Sequence, residues 1–290
     1  MRPPWLFSFA VPPWGLSRPA WRPPRLPVCA RNGERRLLLR DAVFGVEGAA
    51  GQSVVRRNTG LAREYWRRAV RTGDVVVDAT SGNGHDTLAL AQLSGAPVAG
   101  TLLAMDLQPE AVLTTWRRLH DAFGDHVLWR RTGDGLRLRV RGVSRDAPNG
   151  GFECRLACGS HEAFDWLWRD PEDGDEDDLQ QDRRLGHRIA MQGVSCVVYN
   201  LGYLPGSGSD RQVTTTPAST VRSLEAASAL IRPDGGVLSV SCYTGHEGGA
   251  GEERAVFEWA QRLDSRQWTS LAHQWLNRHK APSLVIIERQ

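Results

Sequence analysis

A doubly wound α/β fold on a mostly parallel sheet is what this sequence of 290 residues predicts. Three observations carry the prediction. From about residue 60 onward, β-branched apolar runs alternate with segments of helical period. The first run, Val75 to Val77, breaks at Asp78 into a glycine-bearing turn, Thr80-Ser81-Gly82-Asn83-Gly84-His85, and then into a helical pattern. The last two runs, Trp268 to Leu276 and Ser283 to Glu288, read as an antiparallel pair at one sheet edge.

Taken in order, residues 61 to 72 suggest a helix leading into strand 75 to 78. Helix 86 to 94, strand 100 to 106 and helix 109 to 123 follow, giving a β-α-β-α alternation that implies helices on both faces of the sheet. A basic insertion near 125–150, carrying Arg130, Arg131, Arg137, Arg139, Arg141 and Arg145, interrupts the alternation and reads as a hairpin or a solvated loop. Strand 152 to 158 comes next, then a helix starting near His161. Between Asp170 and Asp182 stand eight acidic residues, a concentration expected to be disordered and without the ligand spacing of a calcium loop. Strand 194 to 199, helix 217 to 231, strand 236 to 242 and helix 251 to 263 complete the pattern before the edge pair.

Residues 1 to 55 look unlike the rest. The first 33 hold half of the sixteen prolines, no Asp or Glu, and Arg2, Arg18, Arg22, Arg25 and Arg31. That composition matches an organellar transit peptide, chloroplast ahead of mitochondrion because the prolines spoil an amphipathic helix; a disordered basic tail is the alternative. No apolar run approaches the roughly 20 residues of a spanning helix, so a soluble protein with no membrane role is expected. The net charge of +3 does not by itself call for nucleic acid, and Lys280 is the only lysine. Cys29, Cys154, Cys158, Cys196 and Cys242 are scattered and odd in number, which fits a reducing compartment. No metal site is expected from them, and Cys196 and Cys242 read as small core residues.

The turn after the first strand is of the kind that receives a nucleotide-type cofactor at a helix N-terminus, with Gly82 and Gly84 removing side chains that would block its approach. A dinucleotide fingerprint would place a third glycine where Thr87 stands, and Asp78 ahead of the turn would repel a pyrophosphate. An anion there suits the cationic amino-acid part of S-adenosylmethionine. Asp106, ending the second strand, is placed to take both ribose hydroxyls. These residues favour S-adenosylmethionine over NAD.

The strand Val194 to Tyr199 ends in Asn200-Leu201-Gly202-Tyr203-Leu204-Pro205-Gly206. In many methyltransferases acting on exocyclic amines, the fourth strand ends in Asn/Asp-Pro-Pro-Tyr/Phe, and Asn200 with Tyr203 has the same spacing. An Asn carbonyl can accept from an amine and aim its lone pair, while an aromatic ring stacks on a base. Together with Asp78 to Thr87, Asp106-Leu107-Gln108, Gly159-Ser160-His161-Glu162 and Tyr243-Thr244-Gly245-His246-Glu247-Gly248-Gly249, this segment resembles the YtqB/MnmM family, often labelled putative rRNA methylases. The resemblance spans about residues 60 to 290.

The resemblance implies a seven-stranded Rossmann-like methyltransferase fold and a tRNA substrate. The reaction implied converts an aminomethyl group on wobble 2-thiouridine into methylaminomethyl. It implies that Asp78, Gly82 and Gly84 hold the methionine part of S-adenosylmethionine, with Thr80, Asn83, Asp86 and Thr87 among its other cofactor-binding residues. Asp106 and Gln108 would hold the ribose, and His161 and Glu162 the adenine. Asn200 and Tyr203 would position the amine, with His246 as candidate base. Ser160 could instead be a helix N-cap, with Glu162 in the first turn. The N-terminal extension and the two insertions depart from the compact family pattern and leave substrate detail open. Competing readings are an rRNA or metabolite methyltransferase of the same fold, an NAD-dependent oxidoreductase, and a non-catalytic cofactor-binding RNA factor. The oligomeric state is open, a homodimer included.

Overall fold

The computed structural model describes residues 58–96, 99–124, 127–129, 138–140, 152–162, 176–202, 215–278 and 281–290. The transit-peptide segment, Tyr203 and most of the basic insertion lie outside the described residues. In chain order the elements are α1 (Asn58–Ala69), β1 (Val75–Asp78), α2 (His85–Ser94), β2 (Thr101–Asp106), α3 (Pro109–Phe123), β3 (Val127–Trp129), β4 (Leu138–Val140) and β5 (Glu153–Cys158). Then come α4 (Glu176–Gln192), β6 (Cys196–Leu201), α5 (Pro217–Leu230), β7 (Val237–Cys242), α6 (Gly249–Gln261), β8 (Trp268–His273) and β9 (Ser283–Arg289).

Seven strands form one sheet in the order β5-β2-β1-β6-β7-β9-β8, parallel except for β9, which runs antiparallel to both its neighbours. The expected edge pair is therefore present, with the last strand inserted between β7 and β8. β3 and β4 make a separate antiparallel pair, the hairpin alternative for the basic insertion. Because side chains alternate across a strand, each β-run feeds both faces of the sheet. Val75, Val77, Val197 and Tyr199 pack with Leu185, Leu224 and Trp259 of α4, α5 and α6. Val76, Leu102, Cys196 and Val198 pack with Trp66, Leu90 and Leu119 of α1, α2 and α3. The sheet is thus buried on both faces, which is why its strands read as unbroken apolar runs. Cys196 and Cys242 are buried among them, as expected of small core residues.

Helix α1 shows how a short helix is fixed to this sheet. Its buried residues Asn58, Ala62, Trp66 and Ala69 share one face. Removing an indole's roughly 150–250 Å² from water stabilises by about 4–6 kcal/mol at 25 cal/mol/Å². At its start, Asn58 Nδ2 donates to Ser241 Oγ at 2.9 Å and to the Ser283 carbonyl at 3.2 Å, tying α1 to β7 and β9. One expectation fails on α4. The acidic run expected to be disordered supplies Glu176, Asp177 and Asp178 to the start of a 17-residue helix. Acidic residues are favoured in a helix's first turn by its macrodipole, so density of charge there marks a beginning rather than a gap.

In the strand order, β1 lies between β2 on one side and β6 on the other. The connections leave β1 and β6 toward opposite faces, opening a crevice beyond their carboxyl ends, where open α/β sheets bind ligands.

Candidate active site

The loop leaving β1 is held from behind. Asp78 is fully buried; its Oδ2 accepts from Thr87 Oγ1 at 2.6 Å and its Oδ1 from the Thr80 amide at 3.2 Å. Burial pushes the Asp78 carboxyl up to about 7, the Asp86 and Asp106 charges add to the rise, and the Thr87 and Thr80 hydrogen bonds oppose it. Asp106 receives the Gly82 amide on Oδ2 and the Gln108 amide on Oδ1, both at 2.9 Å. Burial raises this carboxyl as well, against the three backbone amides that favour its charge. Thr115 Oγ1 donates to the Gly82 carbonyl, and Arg118 Nε to the Asn83 carbonyl at 2.7 Å. Gly84 has φ +74°, and a Cβ there would lie 2.7 Å from the Thr115 backbone. Its glycine therefore lets α3 approach the loop closely, a role beside the expected one of leaving the helix N-terminus open to a ligand.

The turn leaving β6 is held by side chains from elsewhere. The Asn200 amide donates to Thr80 Oγ1 at 2.6 Å, joining this turn to the loop. Asn200 Nδ2 donates to Asp86 Oδ2 at 3.1 Å, and Arg63 Nη2 of α1 donates to Asp86 Oδ1 at 3.0 Å. The Gly202 amide donates to Thr215 Oγ1 at 2.9 Å, which in turn donates to Glu252 Oε2 at 2.8 Å. Thr220 Oγ1 donates to the other oxygen of Glu252, a side chain only 2 % exposed.

His246 sits where the β6 and β7 ends meet. Its Nδ1 lies 2.9 Å from the Glu247 carbonyl, an atom that only accepts, so Nδ1 carries the proton and Nε2 of the neutral ring is an acceptor. A Cβ on Gly202 would come within 3.1 Å of that Nε2, and one on Gly249 within 2.9 Å. Gly202, at φ +138°, thus lets the ring reach the end of β6. Tyr243 stands at the rim, 38 % exposed; burial raises its phenol and the Asp86 charge adds to the rise.

A cavity of about 720 Å³ opens between loop and turn. Of the residues singled out by the sequence, Thr80, Gly82, Asn83, Asp86, Asn200 and His246 line it. Arg63 and Tyr243 also line it. Asp78 and Thr87 bond to each other behind the loop and do not line the cavity. Asp106 and Gln108 lie one strand over, at the end of β2. His161 is buried edge-on to the Tyr199 ring, centroids 6.1 Å apart, with burial lowering its pKa. Glu162 pairs with Arg222 at 3.0 Å, and its amide donates to Ser160 Oγ in a turn; the helix expected from near His161 lies outside the described residues.

Sequence reasoning missed Arg63, Thr215 and Glu252. Arg63 meets Asp86 across 23 residues, and Thr215 meets Glu252 across 37. The local signals that could have found them are slight: a cation on α1 beside its buried face, and an acidic residue in the first turn of α6.

Comparison with known proteins bears on the fold and the cofactor. Residues 179–289 match the family model described as "Putative rRNA methylase". An Arabidopsis thaliana protein named tRNA (mnm(5)s(2)U34)-methyltransferase, chloroplastic, is 29 % identical over 237 residues, covering 80 % of this chain and 69 % of the relative. Among solved structures, an rRNA methylase from Clostridium thermocellum, itself described as putative, is 26 % identical with a TM-score of 0.59. The match covers 81 % of this chain and 99 % of that one. A methyltransferase from Streptococcus mutans, solved in complex with SAH, shares the fold at 21 % identity and a TM-score of 0.56, over 81 % of this chain and 99 % of its own.

Proposed function

We propose that this chain, an S-adenosylmethionine-dependent methyltransferase similar to the "Putative rRNA methylase" family, methylates the amino group of wobble 5-aminomethyl-2-thiouridine in tRNA. The observation that carries the proposal is the 2.6 Å bond from the Asn200 amide to Thr80 Oγ1. It joins the turn after β6 to the loop after β1 on two sides of one cavity, which supports reading the first as the amine-positioning element and the second as the cofactor loop.

The residues present suit the cofactor. The α2 N-terminus, capped by Gly84 with no side-chain hydrogen bond, offers backbone amides to a carboxylate. An ionised carboxylate has about four acceptor sites, so Asp106, which receives the Gly82, Leu107 and Gln108 amides, keeps acceptor capacity for a ribose hydroxyl. S-adenosylmethionine supplies, when bound, an electrophilic methyl carbon on a sulfonium. The chain's own task is to present a neutral amine to it. An alkyl ammonium has a pKa near 10, so a proton must leave before the nitrogen can act as a nucleophile. His246 Nε2 is the acceptor suited to that proton, and Asn200 Oδ1 can take one N–H and orient the lone pair. Tyr203, next along the turn, is the proposed stacking partner for the base, by spacing alone.

The Arabidopsis relative's name supports both the tRNA substrate and a chloroplast destination. The acid-free, arginine-bearing first 33 residues support the destination independently. No helix among the described residues is long and apolar enough to cross a membrane.

Nucleoside mass spectrometry tests the proposal. tRNA from a strain lacking its own wobble methylaminomethyl transferase is compared with and without this protein, expressed from residue 56. Gain of the methylaminomethyl nucleoside at the expense of the aminomethyl one is the expected result. An unchanged profile, with S-adenosylmethionine binding intact, would turn the search to rRNA or a metabolite.

A further inference from the structure

Asp86 stands in the first turn of α2, where the sequence suggests a cofactor ligand. We propose that it is instead a positioning residue: it fixes which way round the Asn200 amide sits, and so turns an ambiguous side chain into a hydrogen-bond acceptor at the acceptor amine.

A primary amide is nearly symmetric in shape, and its two orientations present opposite chemistry, an acceptor on one side and two donors on the other. The backbone of Asn200 is pinned in β6, paired with Ser241 of β7 and bonded through its amide to Thr80 Oγ1. Rotation of the terminal amide is therefore the freedom that remains. Asp86 removes it. Its carboxylate only accepts, so the Asn200 group 3.1 Å from Oδ2 must be the NH₂. Asn200 Oδ1 is then directed away from Asp86, and no described residue donates to it. Arg63 performs the same service one step back. Its guanidinium, always charged, donates to Asp86 Oδ1 at 3.0 Å and to the His85 carbonyl at 3.3 Å. Only 11 % of the Asp86 side chain is exposed, so solvent does little to loosen the arrangement. The relay from Arg63 through Asp86 to Asn200 has one consistent set of donors and acceptors.

An isosteric exchange inverts it. In Asp86→Asn, Arg63 demands an oxygen, so the new amide offers its NH₂ to residue 200. Asn200 must then turn over, and two N–H groups replace the acceptor. Restoring an acceptor-only side chain at 200, in the double variant Asp86→Asn with Asn200→Asp, repairs the chemistry while exchanging the two side-chain types. A role confined to packing would not be repaired by that exchange.

The kinetic part of the test rests on the amine-methylating function proposed above. Wild type, the two single variants and the double variant are assayed on tRNA bearing the aminomethyl nucleoside, with S-adenosylmethionine affinity measured by calorimetry. Asp86→Asn is expected to lower kcat about a hundredfold, the scale of losing one oriented hydrogen bond in a transition state. Cofactor affinity is expected to stay within about twofold, and the double variant to regain at least about tenfold over Asp86→Asn. Near-wild-type turnover in Asp86→Asn, a loss of affinity with kcat preserved, or no recovery in the double variant overturns the proposal. If wild type itself leaves the nucleoside unmethylated, the function fails and the orientation is decided separately by NMR. Slow solvent exchange of the Asn200 side-chain NH₂, lost in Asp86→Ala, supports it; fast exchange in wild type overturns it.

Discussion

The loop after β1 and the turn after β6 face each other across one cavity, and they are held by opposite means. The loop is braced by buried acceptors of nearby or adjacent strands: Asp78 takes Thr80 and Thr87, and Asp106 takes Gly82 and Gln108. The turn borrows its rigidity from α1, α2 and α6 and from the segment before α5, through Arg63, Asp86, Glu252 and Thr215. A loop of the first kind is a self-contained receptacle for a common cofactor. A turn of the second kind is adjustable one distant residue at a time, which suits the part of a methyltransferase that chooses its acceptor.

Removing the side chain that does the orienting should give the largest effect. Asn200→Ala is expected to lower kcat about a hundredfold or more on the aminomethyl substrate while S-adenosylmethionine affinity stays near wild type. Calorimetry and single-turnover rates measured together check this, and full activity would remove Asn200 from the proposed role. Thr215→Val cuts the brace between Gly202 and Glu252 without touching the cavity wall. A drop in kcat of about tenfold is expected, with unfolding free energy lower by about 1–2 kcal/mol for the unpaired buried groups. Loss of cofactor affinity instead would mean that the two regions are less independent than their bonding implies.

The smallest effect belongs to the loop and is read through pH. The folded-state carboxyl of Asp78 is raised to about 7 from 3.8, so the folded protein holds a proton that the unfolded chain has released. Its contribution to stability is full below the unfolded value and is lost as pH rises through about 7. Thermal unfolding at pH 5 and pH 8 should therefore show the wild type losing a few degrees relative to Asp78→Asn, whose amide does not titrate. Parallel behaviour of the two proteins would show that Asp78 is ionised throughout.

The contrast also explains what the sequence disclosed. Val75 to Asp78, Pro109 to Phe123 and Val237 to Cys242 were legible because burial on both faces and helical period are local properties of the chain. The cofactor loop was legible for the same reason, although the meaning of Gly84 and Thr87 was not. Their partners are the Thr115 backbone and a carboxylate behind the loop, and neither leaves a mark in the motif. The acidic start of α4 misled because charge density was read as an obstacle to packing, when position in a helix decides its sign. Arg63, Glu252 and the orientation of Asn200 stayed hidden because donors and acceptors are matched only after folding brings them together.

The bond between the Asn200 amide and Thr80 Oγ1 is a direct hydrogen bond between the loop after β1 and the turn after β6, and any linkage between the two through it has a fixed form. Linkage is reciprocal: by whatever factor S-adenosylmethionine on the loop tightens the grip of the turn on its acceptor, the acceptor tightens the grip of the loop on S-adenosylmethionine. Under the proposed function, any difference in that factor between the cofactor with and without its methyl group would appear equally in the affinity of the turn for the modified nucleoside.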